Sequence, residues 1–148
     1  MVAAGDERMV LQVAAGVLQD RLGRVLIAQR PGSAHMGGAW EFPGGKIHSG
    51  ETPLQGLVRE LHEELAIHVV YVRHLISYYH DYPDRRVHLY VWKVLDWRNE
   101  PSGVEGQSLQ WVEPAVLMQT GLLPADERIA SLLLQSSVVN KLGRVHLC

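Results

Sequence analysis

The stretch Gly45-Lys46-Ile47-His48-Ser49-Gly50-Glu51-Thr52-Pro53-Leu54-Gln55-Gly56-Leu57-Val58-Arg59-Glu60-Leu61-His62-Glu63-Glu64-Leu65-Ala66-Ile67 decides how the chain folds. It reads as a glycine-bearing loop followed by an amphipathic helix. Thr52 suits the N-cap and Pro53 the first helical position, where its missing N–H costs nothing. Leu54, Leu57, Val58, Leu61 and Leu65 recur at helical spacing and give one apolar face over Thr52 to Ala66. Gly56 costs this helix about 1 kcal/mol relative to alanine. Glu60, Glu63 and Glu64 stand at i, i+3 and i+4, roughly 115° from the leucine stripe at about 100° per residue.

Clustered like charges cost an isolated helix a few tenths of a kcal/mol per pair, and Arg59 relieves only part of that. On its own such a cluster fits a solvated acidic surface. Its context points further, because Glu51 precedes the helix and a glycine-rich loop with Lys46 precedes Glu51. Hard divalent cations take oxygen ligands, and magnesium combines a few carboxylates with substrate phosphate oxygens. Carboxylates beside a loop of backbone groups and a lysine form a site for a metal-bound polyphosphate. Bound metals would neutralise phosphate charge and lower the pKa of a water. One glutamate would then serve as general base.

Working outward, Met9 to Gln19 is an apolar, valine-rich strand, Asp20 to Arg24 a turn, and Val25 to Gln29 a second strand, together predicting a hairpin. Pro31 to Gly38 is a loop. Trp40-Glu41-Phe42 is a short strand before the loop Pro43-Gly44-Gly45-Lys46. Val69 to Tyr79 and Val87 to Trp97 are strands joined by a turn at Asp81-Tyr82-Pro83-Asp84, and Leu109 to Val112 is a further strand. A second helix runs from Asp126 to Leu134 or beyond, with Ile129, Leu132 and Leu133 on its apolar face. The mixture predicts an α/β domain with helices packed on a mixed sheet.

The chain has 148 residues, enough for one domain that buries roughly two thirds of its unfolded surface. We expect a single domain over residues 1–148, with 1–9 and about 137–148 as flexible tails. Net charge is −2, and no basic patch of the kind that holds polymeric nucleic acid stands out. Cys148 is the single cysteine, so no internal disulfide forms and a reducing compartment is expected. Residues 1–9 have no apolar segment of signal-peptide length, and Met9 to Leu18 is far shorter than the roughly 20 residues of a membrane span. These features predict a soluble cytoplasmic protein with no membrane partner.

Gly45, five residues, Glu51, seven residues, then Arg59-Glu60-Leu61-His62-Glu63-Glu64-Leu65-Ala66-Ile67 resembles the Nudix box. The departure is Ala66, where that family has the glycine that ends the helix in a left-handed conformation. The flanks resemble the MutT-type branch of the Nudix hydrolases: His35-Met36, Trp40 to Lys46, Tyr82-Pro83-Asp84-Arg85, Glu105-Gly106-Gln107, Trp111 and Leu123 to Glu127 occur in the same order. The likeness covers roughly Val10 to Leu134. It implies the Nudix fold, an α/β/α sandwich around a mixed sheet. It also implies cleavage of a nucleoside triphosphate to a monophosphate and pyrophosphate, by water attack on the β-phosphorus, dependent on Mg2+ with Mn2+ as a substitute.

Carried over position by position, the resemblance makes Gly44, Glu60, Glu63, Glu64 and Glu105 metal ligands. Glu60 is the provisional general base, with Glu64 or Glu105 as alternatives. Arg59 would orient the glutamates and Glu51 would support the helix. Arg30 and Lys46 would meet phosphate oxygens, with Glu41, Phe42, Arg85 and Asp126 completing the substrate site. Phe42 is a candidate base-stacking ring. Trp40, Trp92 and Trp97 read as packing, and the scattered histidines lack zinc spacing. His35 stands apart from them because it lies in the MutT-like loop.

Asp126 bears on the substrate. The MutT branch has an asparagine there, which can donate to O6 of 8-oxoguanine and accept from N7–H. An ionised aspartate only accepts, which suits the amino group of cytosine better. Asp126 also fits the N-cap of the last helix. The leading expectation is a hydrolase that sanitises 8-oxo-dGTP, a mutation-avoidance role. The alternatives are a CTP or 5-methyl-dCTP pyrophosphohydrolase and a non-catalytic nucleotide-binding module. The partner would be a free nucleoside triphosphate and the protein a monomer or weak homodimer.

Overall fold

A computed structural model describes residues 9–146, with side chains described through residue 138. The elements in order are β1 (Met9–Leu18), β2 (Val25–Gln29), β3 (Trp40–Glu41), β4 (Gly44–Lys46), α1 (Pro53–Leu65), β5 (His68–Asp81), β6 (Arg85–Arg98), β7 (Leu109–Val112) and α2 (Glu127–His146). Two 3-10 turns, Pro114–Gln119 and Pro124–Asp126, lead into α2. Residues 1–8 of the expected N-terminal tail, and Cys148 with its neighbour, lie outside the described residues.

The strands make a mixed four-stranded sheet, β4-β1-β6-β5, and an antiparallel three-stranded sheet, β3-β2-β7. β1 runs parallel to β6, while β4 and β5 are antiparallel to their neighbours. The expected β1–β2 hairpin is therefore a correction. The two strands share a single bridge, Gln19 to Val25, and then part into different sheets. The Asp20 carboxylate holds the turn between them, accepting the Leu22 and Arg24 N–H groups at 3.0 and 2.9 Å.

Two-sided burial explains the parting. Successive residues of β1 and β2 fall into two different cores. Ala15, Val17, Val25 and Ile27 pack with Ile129 and Leu133 of α2, whereas Ala14, Leu18 and Leu26 pack with Leu57, Leu61 and Leu65 of α1. A strand buried on both faces reads as an unbroken apolar run and takes a central place. The helices thus cover opposite faces of the sheet layer, the expected sandwich. Trp40 packs against the first core, and Trp92 and Trp97 against the second.

The segment Gly44–Lys46, expected as loop, is strand β4, paired with Val13–Ala15. Thr52 caps α1 as expected, its hydroxyl accepting the Gln55 N–H at 3.1 Å while the Gln55 side chain accepts the Thr52 N–H at 2.8 Å. At the other end Ala66 is left-handed, φ 59° and ψ 31°, with its N–H on the His62 carbonyl. No helix among the described residues is long and apolar enough to cross a membrane.

The left-handed conformation costs a non-glycine residue about 1–2 kcal/mol, partly offset by the greater entropy that glycine loses on folding. Ala66→Gly is expected to stabilise the fold by about 1 kcal/mol, a rise of roughly 2–4 °C in Tm. Thermal unfolding of the two proteins side by side checks it.

Candidate active site

The apolar face of α1, once seated, points its acidic face at β4. A Cβ on Gly45 would lie 2.4 Å from the Glu60 carboxylate, and one on Gly44 would lie 2.0 Å from the Ala14 carbonyl oxygen. The neighbouring backbone leaves room only for glycine at 44, while a side chain at 45 would displace the Glu60 carboxylate. The Gly44 N–H donates to Glu64 Oε2 at 3.1 Å.

Arg59 organises the carboxylates. Its Nε and Nη2 donate to the two oxygens of Glu51 at 3.1 and 2.6 Å. Its Nη1 reaches Glu60 at 2.9 Å and Glu63 at 3.2 Å, and Nη2 also meets the Lys46 carbonyl at 2.9 Å. Bidentate, charge-assisted bonds of this kind fix geometry as well as adding energy. Glu51 also accepts the His48 N–H at 2.6 Å, and the Arg59 bonds hold its carboxyl down to about 2. Glu51 is thus a brace between loop and helix.

Glu60, Glu64 and Glu105 line one cavity of about 180 Å³, together with Glu41, Arg30, Gly44 and Gln107. Glu63 does not line it. Its side chain is 56% exposed and bound to Arg59. Burial pushes the Glu64 carboxyl up to about 8, and the charge of Glu41 adds to this against the pull of the Gly44 N–H, with further repulsion from Glu60 and Glu105. Among the described residues no three acidic, histidine or cysteine side chains yet converge on a single point. The donor set nonetheless fits a hard divalent cation, because crowded carboxylate oxygens share one cavity with too little positive charge among them.

A second cavity of about 170 Å³ adjoins the first, and Arg30, Glu41 and Gly44 line both. Phe42, Lys46, Tyr82, Arg85, Asp126 and His35 also line it. Arg30 donates from Nη1 to Glu41 at 2.7 Å and from Nε to the His35 carbonyl at 2.7 Å, so it pins the loop to β3. Burial pushes the Glu41 carboxyl up, opposed by its bond to Arg30. Arg85 pairs with Asp84 at 3.1 Å. Phe42 is only 2% exposed and belongs to the core, so the free stacking face expected of it is absent as the side chain stands. Sequence reasoning missed two contributors, Tyr82 and Gln107. The turn signal at Tyr82-Pro83 gave no hint that the Tyr82 hydroxyl accepts the Ala125 N–H at 3.1 Å.

Asp126 is 4% exposed and ends the 3-10 turn before α2. Its Oδ2 accepts the Phe42 N–H at 2.9 Å, across the cavity floor. Burial pushes its carboxyl up to about 7, against the pull of that N–H, with Glu41 adding to the rise. This bond ties Asp126, the residue before α2, to Phe42, the residue after β3.

Residues 14–132 match the family model of the NUDIX domain. The chain belongs to the Nudix family. A relative from Proteus vulgaris named 8-oxo-dGTP diphosphatase is 47% identical over 68% of this chain and 89% of its own length. A relative from Escherichia coli (strain K12) named CTP pyrophosphohydrolase is 38% identical over 79% of this chain and 86% of its own length. A MutT structure from a study of the Aliivibrio salmonicida and Vibrio cholerae proteins superposes with a TM-score of 0.75 at 29% identity, covering 86% of this chain and 98% of that one. As a Nudix protein the chain joins a family whose hydrolases generally need divalent metal ions.

A carboxyl group raised from 3.8 to about 7 on folding binds its proton more tightly in the folded state. Stability is therefore full below the unfolded value near 4 and falls as pH rises towards 7. The substitution Asp126→Asn places an amide there, which cannot titrate but keeps an oxygen to accept the Phe42 N–H. It is expected to gain a few kcal/mol relative to the parent between pH 4 and pH 8, at about 1.4 kcal/mol for each pH unit between the unfolded and folded values. Denaturant unfolding across that range measures it, and parallel curves would place the Asp126 proton elsewhere.

Proposed function

We propose that the chain hydrolyses nucleoside triphosphates to a nucleoside monophosphate and pyrophosphate, with 8-oxo-dGTP as the leading substrate. The observation that carries this reading is the pair of adjoining cavities with a common wall of Arg30, Glu41 and Gly44. One cavity is carboxylate-rich and the other is closed by Phe42 and Asp126. A triphosphate would lie in the first while its base enters the second. The naming of the relatives supports the same assignment. The cytidine triphosphate reading stays second, supported by the aspartate at 126 and the CTP pyrophosphohydrolase relative.

We assign Glu60, Glu64, Glu105 and the Gly44 carbonyl, which belong to residues lining the carboxylate cavity, to divalent ions, Mg2+ in the first place and Mn2+ as a substitute, with Glu63, which stands outside that cavity on Arg59, turning in when an ion is bound. Such ions, when bound, polarise phosphoryl oxygens and lower the pKa of water. Arg59 keeps the Glu60 and Glu63 carboxylates in place, and Glu51 keeps Arg59 in place. Arg30, on the wall common to both cavities, meets phosphate oxygens, Lys46 on the second cavity meets those of the phosphate nearest the base, and Arg85 lines the same second cavity. Glu60 takes a proton from the attacking water, with Glu64 or Glu105 as alternatives. The water oxygen bonds to the β-phosphorus, and the bond from that phosphorus to the bridging oxygen breaks. The nucleoside monophosphate leaves with the bridging oxygen. Glu41, Phe42 and Asp126 bound the base. The whole chain, residues 1–148, acts as one catalytic domain on free nucleotides in the reducing cytoplasm, as a monomer or weak homodimer, and without membrane or polymeric nucleic acid.

Glu64→Gln keeps the shape and the acceptor for the Gly44 N–H but loses the charge, and Glu63→Gln likewise loses a carboxylate. Each is expected to lower turnover at least about 10²-fold with little change in Tm, in line with loss of a group positioned for the transition state. In oxygen-18 water the residual and parental product label should sit on pyrophosphate. Near-normal turnover in both variants would remove these carboxylates from the site, and label on the monophosphate would move the attack to the α-phosphorus.

The high carboxyl pKa of Asp126 also bears on the base. Below about pH 7 its neutral form has a proton to donate, which suits O6 of 8-oxoguanine, and above it the ionised form accepts only. The ratio of kcat/KM for 8-oxo-dGTP over CTP is expected to fall as pH rises from 6 to 8, and Asp126→Asn should flatten that slope. The mismatch is worth about 1–3 kcal/mol at full effect. A ratio independent of pH in both proteins would separate Asp126 from base selection while leaving the hydrolysis untouched.

A further inference from the structure

We propose that the opposite end of the sheet carries a second site, which binds a small phosphorylated organic anion. A cavity of about 800 Å³ opens there between the β1–β2 turn, the 113–115 segment, β5, β6 and α2, and it shares no lining residue with either active-site cavity. Its size lies in the range of about 300–1,000 Å³ typical of small-molecule sites.

Arg73 and Lys93 line this cavity and are direct cross-strand partners on β5 and β6. Like charges set directly opposite one another destabilise a sheet. Among the described residues neither has an ion-pair partner to offset that. Burial pulls the Lys93 ammonium below the usual lysine range, and Arg73 adds to it. Arg21 brings a third cation from the turn, and Ser136 and Ser137 bring hydroxyls from α2.

Two carboxylates also line the cavity. Asp20 is committed to Arg24, at 2.8 Å, and to the backbone of its own turn. Glu113 is left as the single carboxylate facing three cations. Two adjacent cations match two oxygens of a phosphoryl group, with arginine offering a planar fork and lysine a point charge. Leu75, Leu133 and Pro114 supply an apolar wall for the carbon part of the ligand. A sheet keeps such a cationic pair at a cost to the free protein, and an anion removes that cost.

Titration of metal-free protein with adenosine monophosphate, followed by amide nitrogen–proton NMR, tests the site by position. The amides of Arg73, Lys93 and Ser136 should shift and saturate, with inorganic phosphate moving the same amides more weakly. Lys93→Met should weaken binding at these amides at least tenfold while leaving the ligand-free Tm equal to or above that of the parent. Lys93→Gln should give the same loss of binding. Absence of shifts at these three amides would overturn the site, as would shifts unchanged by both substitutions, or a lowered ligand-free Tm in both variants with binding intact.

Discussion

The seating of α1 on β1 and β2 governs the arrangement of the catalytic end. Leu57, Leu61 and Leu65 are fully buried and pack with Ala14, Leu18 and Leu26. Full burial of a leucine is worth about 1.5–3 kcal/mol, so three of them outweigh the few tenths per pair by which clustered glutamates oppose the helix. Because a helix is rigid, fixing one face fixes the other. The glutamates are thereby presented to β4 by the packing of residues that never touch substrate.

Arg59 then converts a repulsive surface into an ordered one. It bonds three carboxylates and a backbone carbonyl at once, and one of these carboxylates, Glu51, comes from the loop before the helix. Loop, strand and helix are cross-braced through one guanidinium. Glu64 is left outside this arrangement. It is half-buried, bonded to the Gly44 N–H and crowded by other carboxylates, so its environment differs from that of its exposed chain neighbour Glu63. One motif thus yields glutamates with distinct electrostatic settings, which is what a site needs if some carboxylates hold ions while another moves a proton.

The helix was legible because its signals were local. The Thr52 cap, the Pro53 start, the spacing of Leu57, Leu61 and Leu65 and the left-handed Ala66 end each rest on neighbours within a few residues, and each is present in the structure, whereas Leu54 and Val58, expected on the same face, are 39% and 40% exposed. The β1–β2 hairpin failed because two apolar strands joined by a tight turn have the same local signature whether they pair or part. What separates them is long-range, namely the helices that claim alternate side chains of both strands. β4 was invisible for a related reason. Its residues are glycine, glycine and lysine, with no apolar alternation to read, and its strand character comes wholly from the pairing with Val13–Ala15. At the site, the bonds of Arg59 to Glu51, Glu60 and Glu63 span at most eight positions, whereas the fold-back of Asp126 onto the Phe42 N–H joins residues 84 positions apart.

That long-range bond shapes the recognition end as firmly as α1 shapes the catalytic one. Asp126 is delivered by the 3-10 turn after Leu123, whose own N–H bonds the Trp40 carbonyl at 2.8 Å. The short strand β3 and the residue after it are therefore clamped to the approach to α2, at Trp40 and at Phe42. The same strand carries Glu41, held by Arg30, on the wall between the two cavities. A displacement of the Asp126 carboxylate would be felt at Phe42, then at Glu41, and so at the cavity where Glu64 lies. The electrostatics follow the same path, since Glu41 raises the proton affinity of Asp126 on one side and of Glu64 on the other. The charge of Glu41, on the wall between base pocket and carboxylate cluster, thus acts on a carboxyl group in each.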